Sequence, residues 1–197
     1  MALVKSIVFV DGENLVFRYQ ALLKEGRSPH PWVVHHQDIF VWQPDLWRPV
    51  IDTDVIRINY YSCMTGDDDS LTRVRQEIAS IRYLPSGDYY GPCELTPRLY
   101  KKDSQSRKSR LVDVNMTIDV MRHAYTDAVD VVYLLSGDGD FVELVEEVAR
   151  RGKRICVGAF SSGLDPRLRV VADRFFLLDD LFFKLGGGDP VAPAPPA

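Results

Sequence analysis

Two apolar segments of this chain each end abruptly in acidic residues, and a helical pattern follows each of them at once. Val131–Leu135 runs into Ser136–Asp140 (sequence SGDGD), and Ser6–Val10 runs into Asp11–Asn14 (sequence DGEN). Short continuous apolar runs are typical of strands buried on both faces of a parallel sheet. The carboxyl ends of such strands lie along one edge of the sheet, where α/β proteins hold their ligands. The two segments therefore predict an α/β fold with carboxylates gathered at that edge.

The rest of the chain alternates between strand and helix patterns. The predicted strands are Val4–Val10, Val55–Tyr61, Glu94–Tyr100, Asp130–Ser136, Arg154–Ala159 and Phe175–Leu178. The predicted helices are Asn14–Lys24, Asp67–Leu84, Val112–Tyr125, Phe141–Arg151 and the short Leu164–Ala172. This alternation favours a mainly parallel sheet with right-handed crossovers.

Two segments lack such periodicity. Residues 26–50 are rich in proline and hold Trp32, Trp42 and Trp47, so we interpret them as an irregular insertion whose tryptophans pack locally rather than stack on bases. Residues 186–197 consist almost entirely of Gly, Pro and Ala, which predicts a disordered tail after one domain over residues 1–185.

Composition excludes several classes of protein. A net charge of −4 over 197 residues argues against a histone-like binder, although a local basic patch is compatible with it. The three cysteines show no CxxC spacing, which favours a reducing cytoplasm over a disulfide framework or a zinc site. No signal peptide and no apolar run of about 20 residues is present, so no membrane partner is expected. A homo-oligomer remains open.

Four aspartates are candidates for one metal site. Asp11 and Asp138 end predicted strands, Asp140 opens the next helix, and Asp119 lies in the preceding helix among Ile118, Val120 and Met121. Like charges gathered so closely repel each other, and a divalent cation would relieve the repulsion. Hard oxygen ligands favour Mg²⁺ or Mn²⁺ over Zn²⁺, and such ions suit phosphodiester hydrolysis by an activated water.

Each acid also has a purely structural interpretation. Asp140 with Glu143 resembles a helix cap, Asp138 suits the positive end of the same helix, and Asp11 with Asn14 could open the first helix. A solvent-exposed Asp119 is an alternative too. The conjunction of all four favours the metal site.

Asp113 is harder to place, because six residues separate it from Asp119. That spacing corresponds to roughly 120° around a helix, so both could share a site only if Asp113 lies at or before the first turn. We therefore expect Asp119 to bind the metal directly and Asp113 to be a second ligand or to orient water.

Three segments together carry a family resemblance: FVDGENL (Phe9–Leu15), RLVDVNMTIDVM (Arg110–Met121) and LLSGDGDFVELV (Leu134–Val145). In this order they resemble the NYN domains, a branch of the PIN-like metal-dependent ribonucleases. The resemblance implies a three-layer α/β/α fold and cleavage of RNA with Mg²⁺ or Mn²⁺. It also implies a site composed of Asp11, Asn14, Asp113, Asp119, Asp138 and Asp140. Arg110 and Leu111 depart from the Lys-Gly that the family usually has there.

A basic segment precedes the helix that carries Asp113 and Asp119. Its cations are Lys101, Lys102, Arg107, Lys108 and Arg110. They could hold a polyanion such as RNA beside the acidic site, or the segment could be a solvated loop.

Two rival functions remain open. DGDFV, residues 138–142, fits the nucleophile motif of haloacid-dehalogenase-type phosphatases, but that motif belongs on a first strand and too little chain follows it here. The second rival is a non-catalytic NYN-like module that binds RNA or protein.

Overall fold

The computed structural model describes residues 4–43, 46, 53–83, 93–101 and 110–184. Its strands are β1 (Lys5–Asp11), β2 (Val34–His36), β3 (Phe40–Trp42), β4 (Asp54–Met64), β5 (Arg82–Tyr83), β6 (Cys93–Lys101), β7 (Val131–Leu135), β8 (Arg154–Ala159) and β9 (Arg174–Leu177). Its helices are α1 (Gly12–Lys24), α2 (Asp68–Ala79), α3 (Arg110–Tyr125), α4 (Val142–Arg150), α5 (Arg167–Val171) and α6 (Asp179–Phe182).

One central sheet organises the domain, in the order β5-β6-β4-β1-β7-β8-β9. Its strands run parallel, except that the two-residue β5 pairs antiparallel with β6. The register pairs Val10 of β1 with Leu135 of β7, so the two acid-bearing turns that follow are neighbours. The predicted parallel sheet, with Asp11 beside the SGDGD turn, is therefore confirmed.

Helices cover both faces of the sheet, which confirms the three-layer arrangement. Val8 and Val10 of β1 face one core with α1 and α2, whereas Ile7 and Phe9 face the other core with α3 and α4. Val112, Met116 and Val120 anchor α3 in the second core. Each buried side chain of this size stabilises the fold by about 1.5–3 kcal/mol, which fixes the position of α3 over β1 and β4.

The structure differs most from the predicted elements in two places. The helix predicted over Asp67–Leu84 ends at Ala79, and β5 follows it. The segment predicted to be irregular holds the β2–β3 hairpin, in which Val34 pairs with Trp42. Asp38 turns this hairpin with a φ of 60°, a left-handed conformation that aspartate tolerates better than most residues.

The tryptophans of that segment have different surroundings. Trp42 is only 2% exposed and contacts the Tyr60 ring, as local packing predicts. Trp32 is 45% exposed and stacks on His30. Trp47 lies outside the described residues, as does the predicted tail over residues 186–197.

Within the described ranges, no helix is both long and apolar enough to cross a membrane.

Candidate functional site

Asp11 ends β1 and is buried, with both carboxylate oxygens engaged. Its Oδ1 accepts a hydrogen bond from the Asn14 backbone N–H at 3.1 Å, and its Oδ2 accepts one from the Ser136 hydroxyl at 2.8 Å. Asp11 therefore caps α1 and at the same time contacts the end of β7. Asp11 thus both caps a helix and belongs to a shared acidic site.

Gly12 lets α1 begin close against β4. A Cβ at this position would collide with the Tyr60 ring and lie 2.6 Å from the Tyr61 carbonyl oxygen. Only glycine fits there without a shift of α1, so Gly12 fixes where Asp11 and Asn14 sit relative to β4.

Hydrogen bonds join the DGEN and SGDGD turns. The Asn14 side-chain oxygen accepts from the Gly137 N–H at 3.1 Å. The Ser136 hydroxyl donates to Asp11 and accepts from the Asp138 N–H at 3.1 Å, while Asp138 Oδ1 accepts from the Asp140 N–H at 3.0 Å. The two turns therefore form one connected unit.

The electrostatics of Asp11 identify its acidic neighbours. Burial raises its pKa to about 7 from an ordinary value of 3.8, against the lowering effect of its two hydrogen bonds. The negative charges of Asp113 and Asp138 contribute to this rise. Carboxylates from β1, from the first turn of α3 and from the turn after β7 therefore influence one another, and we call them, with Asp140, the acidic edge.

Asp119 lies in different surroundings. Its carboxylate accepts a hydrogen bond from the Tyr61 hydroxyl at 2.7 Å and pairs with Arg122 at 2.8 Å. Six residues of helix separate it from Asp113, which is about 9 Å along the axis. The structure thus groups Asp113 with Asp11 and Asp138, and it groups Asp119 with Tyr61 and Arg122.

Asp140 lies at the rim of the acidic edge. It is exposed, and its charge contributes, after those of Asp165 and Glu143, to the raised pKa of Arg167. Gly139 beside it packs so closely that a Cβ there would collide with Asp165. Asp140 therefore faces solvent next to the ion pair that Arg167 forms with Asp165.

The predicted RNA-binding cations are only partly described. Lys101 ends β6, and its ammonium pairs with Asp68 at 2.9 Å. Lys102, Arg107 and Lys108 lie outside the described residues, and Arg110 is described only as the start of α3.

The donor chemistry of the acidic edge suits a hard divalent cation, since every candidate ligand is a carboxylate or amide oxygen. As the described side chains are placed, no group of three or more His, Cys, Asp and Glu could hold one metal ion together. Both oxygens of Asp11 accept hydrogen bonds, and Asp138 caps the following turn. For these carboxylates to bind one ion together, the side chains of Asp113 and Asp138 would have to rotate toward Asp11.

Ser136 and Tyr61 are site residues that the sequence did not single out. Ser136 ends the apolar run of β7, and a hydroxyl one position beyond a buried strand is the signal that could have identified it. Tyr61 pairs with Asp11 in the β1–β4 register, a relation that becomes visible only once the strand register is known.

An α/β/α domain with carboxylates at the carboxyl edge of a parallel sheet is consistent with the PIN-like class of nucleases. Residues 5–179 match the family model of the NYN domain, so the chain belongs to the NYN domain family, within the PIN-like ribonuclease superfamily. Membership of this family indicates a nuclease-type function.

Comparison with solved structures gives two matches to report. A protein of unknown function from Vibrio parahaemolyticus RIMD 2210633 shares 22% identity, with 92% of this chain and 96% of that chain covered and a TM-score of 0.57. A candidate oxidoreductase from Parabacteroides merdae ATCC 43184 shares 12% identity over 88% of this chain and 31% of that chain, with a TM-score of 0.32, too low to bear on function. The first structure supports the fold alone. Comparison with curated proteins found no match.

Proposed function

We propose that this NYN domain is a ribonuclease that hydrolyses phosphodiester bonds of RNA with Mg²⁺ or Mn²⁺. The observation that carries the proposal is the buried Asp11, whose pKa is raised by burial and then by the charges of Asp113 and Asp138. Carboxylates held together against their repulsion are stabilised when a divalent cation binds between them. The family's nuclease-type function supports the same conclusion.

The residues take distinct roles in this proposal. Asp11, Asp113 and Asp138 would hold the cation, and the exposed Asp140 would complete the ligands from the rim. Asn14 orients the turn after β7 through the Gly137 N–H. The metal-ligand role predicted for Asp119 stays a prediction, and we give Asp113 priority because it acts on Asp11 directly.

When bound, the cation supplies an activated water and neutralises charge that develops on the scissile phosphate. The protein's part is to hold Asp11 in place before the substrate arrives. Ser136 fixes Asp11 from the β7 side, and the Asn14 N–H fixes it from the α1 side. A fixed arrangement of this kind avoids the cost of reorganising dipoles during the reaction.

Metal-dependent cleavage of labelled single-stranded and structured RNA tests the proposal. We expect the purified protein to cleave RNA with Mg²⁺ or Mn²⁺ and to lose this activity in EDTA. Asp138→Asn should abolish cleavage, whereas Asp69→Asn, the same change at an exposed position of α2, should not affect it. Equal activity in wild type and Asp138→Asn would contradict the proposal.

A non-catalytic module that binds RNA is the second candidate, and one observation favours it: the described carboxylates are not placed to share an ion. It predicts RNA binding by wild type and by Asp138→Asn with no cleavage by either protein. Release of phosphate from an aryl phosphate monoester would instead favour the phosphatase alternative.

The proposed compartment is the cytoplasm. Cys63 and Cys156 are buried as thiols rather than in a disulfide, which suits a reducing environment.

A further inference from the structure

A second polar surface lies beside the acidic edge, on the face of the sheet that α3 covers. The register pairs Asp11 of β1 with Tyr61 of β4, and Tyr61 with Arg98 of β6. The three residues therefore form one row across a single face. Two strand spacings separate Arg98 from Asp11, which is about 10 Å.

The outer part of this row is open to solvent. α3 packs over β1 and β4, whereas β6 buries Leu95 and Leu99 in the core that it shares with α2. Side chains alternate along a strand, so Arg98 and Tyr100 point to the opposite face. Arg98 is exposed there, and Tyr100 is half-buried.

Three arginines gather on this surface, and we call Arg57, Arg98 and Arg122 the arginine band. All three act on the same imidazole: after burial, their positive charges lower the pKa of His123. Arg57 and Arg122 are exposed, like Arg98. The band therefore lies around His123, near the C-terminal end of α3, next to the row that begins at Asp11.

The protein leaves part of this positive charge unpaired. Arg122 pairs with Asp119, but neither Arg57 nor Arg98 forms an ion pair or a hydrogen bond with any described residue. In the β4–β6 register Glu94 lies beside Arg57, whereas Arg98 lies beside Tyr61, so among the described residues Arg98 is the cation of the band with no acid next to it on β4. A guanidinium with five unused donors is well suited to the oxygens of a phosphate.

We propose that Arg98, with Arg57 and Arg122 beside it, binds the phosphate backbone of single-stranded RNA as the strand leaves the acidic edge. Tyr100 offers a partly exposed ring on which a base stacks, as in other single-strand binders. Asp119 positions Arg122 within the band. This subsite rests on the proposed function in one respect, that RNA is the substrate.

Binding of a fluorescent pyrimidine oligoribonucleotide of about 12 nucleotides, measured by anisotropy in EDTA over a series of KCl concentrations, tests the subsite. Arg98→Ala should weaken binding about three- to tenfold, and the slope of log K against log salt should become shallower by about 0.7. Arg98→Glu should weaken binding further.

The matched control is Arg154→Ala, which removes an exposed arginine at the start of β8, in a different part of the sheet. It should keep wild-type affinity and slope. Thermal unfolding should give the same midpoint for both alanine variants and the wild type, since both side chains are exposed. Wild-type binding by Arg98→Glu, weakening with an unchanged slope, or equal weakening by Arg154→Ala would each overturn the subsite.

Failure of the subsite and failure of the nuclease are distinguishable. If the wild type cleaves RNA and Arg98→Glu binds RNA normally, the proposed subsite is refuted and the proposed nuclease activity stands. If the wild type does not cleave RNA but binds it in an Arg98-dependent way, the proposed subsite stands and the proposed nuclease activity is refuted.

Discussion

The acidic edge lies at the carboxyl edge of the sheet and the arginine band on the face that α3 covers, and the carboxylates of the two regions have different partners. Asp11 is buried beside other acids, and in the described part of the chain no basic side chain pairs with it. Asp119 receives a hydroxyl hydrogen bond from Tyr61 and an ion pair from Arg122. Asp119 is paired with a cation, whereas Asp11 has two hydrogen bonds and, among the described residues, no basic partner, so a proton or a bound cation would neutralise it. This difference is why we assign the metal to the acidic edge and the RNA backbone to the band.

The strongest test of the comparison is Asp11→Asn, because it removes the buried charge. In the metal-free protein, the pKa of about 7 lies above the unfolded value of 3.8, so the folded state holds the extra proton between these values. The contribution of Asp11 to stability is thus fully present below about pH 4, falls as pH rises to about 7, and stays low above it. Asp11→Asn should therefore stabilise the metal-free protein at pH 8, by up to about 4 kcal/mol, and change little at pH 4.

The same variant should lose the function of the site. We expect RNA cleavage to fall at least about a hundredfold, and Mn²⁺ to raise the unfolding midpoint of wild type but not of the variant. Urea unfolding at the two pH values, with and without Mn²⁺, measures the effects on stability, and cleavage of labelled RNA measures the loss of activity. A pH-independent difference in metal-free stability would show that Asp11 does not titrate in this range.

Gly12→Ala tests whether the two regions are held in a fixed relation. The added Cβ meets the Tyr60 ring and the Tyr61 carbonyl, both on β4, and should cost about 1–3 kcal/mol as α1 shifts away. Gly137→Ala is the control, because its Cβ would lie at 3.4 Å from its nearest neighbours, an ordinary contact. Chemical denaturation of both variants compares them, and equal stabilities would contradict the tight junction.

Asp113→Asn and Asp119→Asn separate the two regions directly. Asp113→Asn should reduce metal-dependent cleavage about tenfold and lower the pKa of Asp11, because it removes a nearby negative charge. Asp119→Asn should leave the metal dependence of cleavage unchanged and raise the KM for RNA, because Arg122 loses its anchor. Cleavage rates over a Mn²⁺ titration decide between them. The opposite pattern would restore Asp119 as the metal ligand.

The sequence predicted the part of this site that depends on strand ends. An apolar run followed by acids reports a buried parallel strand, and the adjacency of β1 and β7 then brings Asp11 next to the SGDGD turn. Helical spacing also indicated that Asp113 and Asp119 lie on different sides of α3. Both inferences start from local periodicity, which can be read directly from the sequence.

The parts that the sequence did not predict depend on packing between distant segments. Apolar neighbours of Asp119 pointed to a core position, yet Ile118 is 49% exposed, because α3 carries apolar residues on its solvent face as well. The β2–β3 hairpin was missed because proline and tryptophan obscured its short alternation. The arginine band arises from the register of β4 with β6, which no local pattern reveals.

Ser136→Ala is the smallest change that still sharpens the comparison. The Ser136 hydroxyl donates to Asp11 at 2.8 Å and accepts from the Asp138 N–H, so its loss leaves a buried carboxylate with one hydrogen bond fewer. Since that hydrogen bond lowers the pKa of Asp11, the pKa should rise above about 7 in the variant. Stability should fall by about 1 kcal/mol, and the pH at which metal-dependent cleavage is half-maximal should move upward. Ser161→Ala, next to another buried aspartate at the start of α6, should leave that pH profile unchanged, because its hydroxyl donates to Asp179 rather than to Asp11. An unshifted profile in Ser136→Ala would mean that the charge of Asp11 is set by its acidic neighbours and its burial alone.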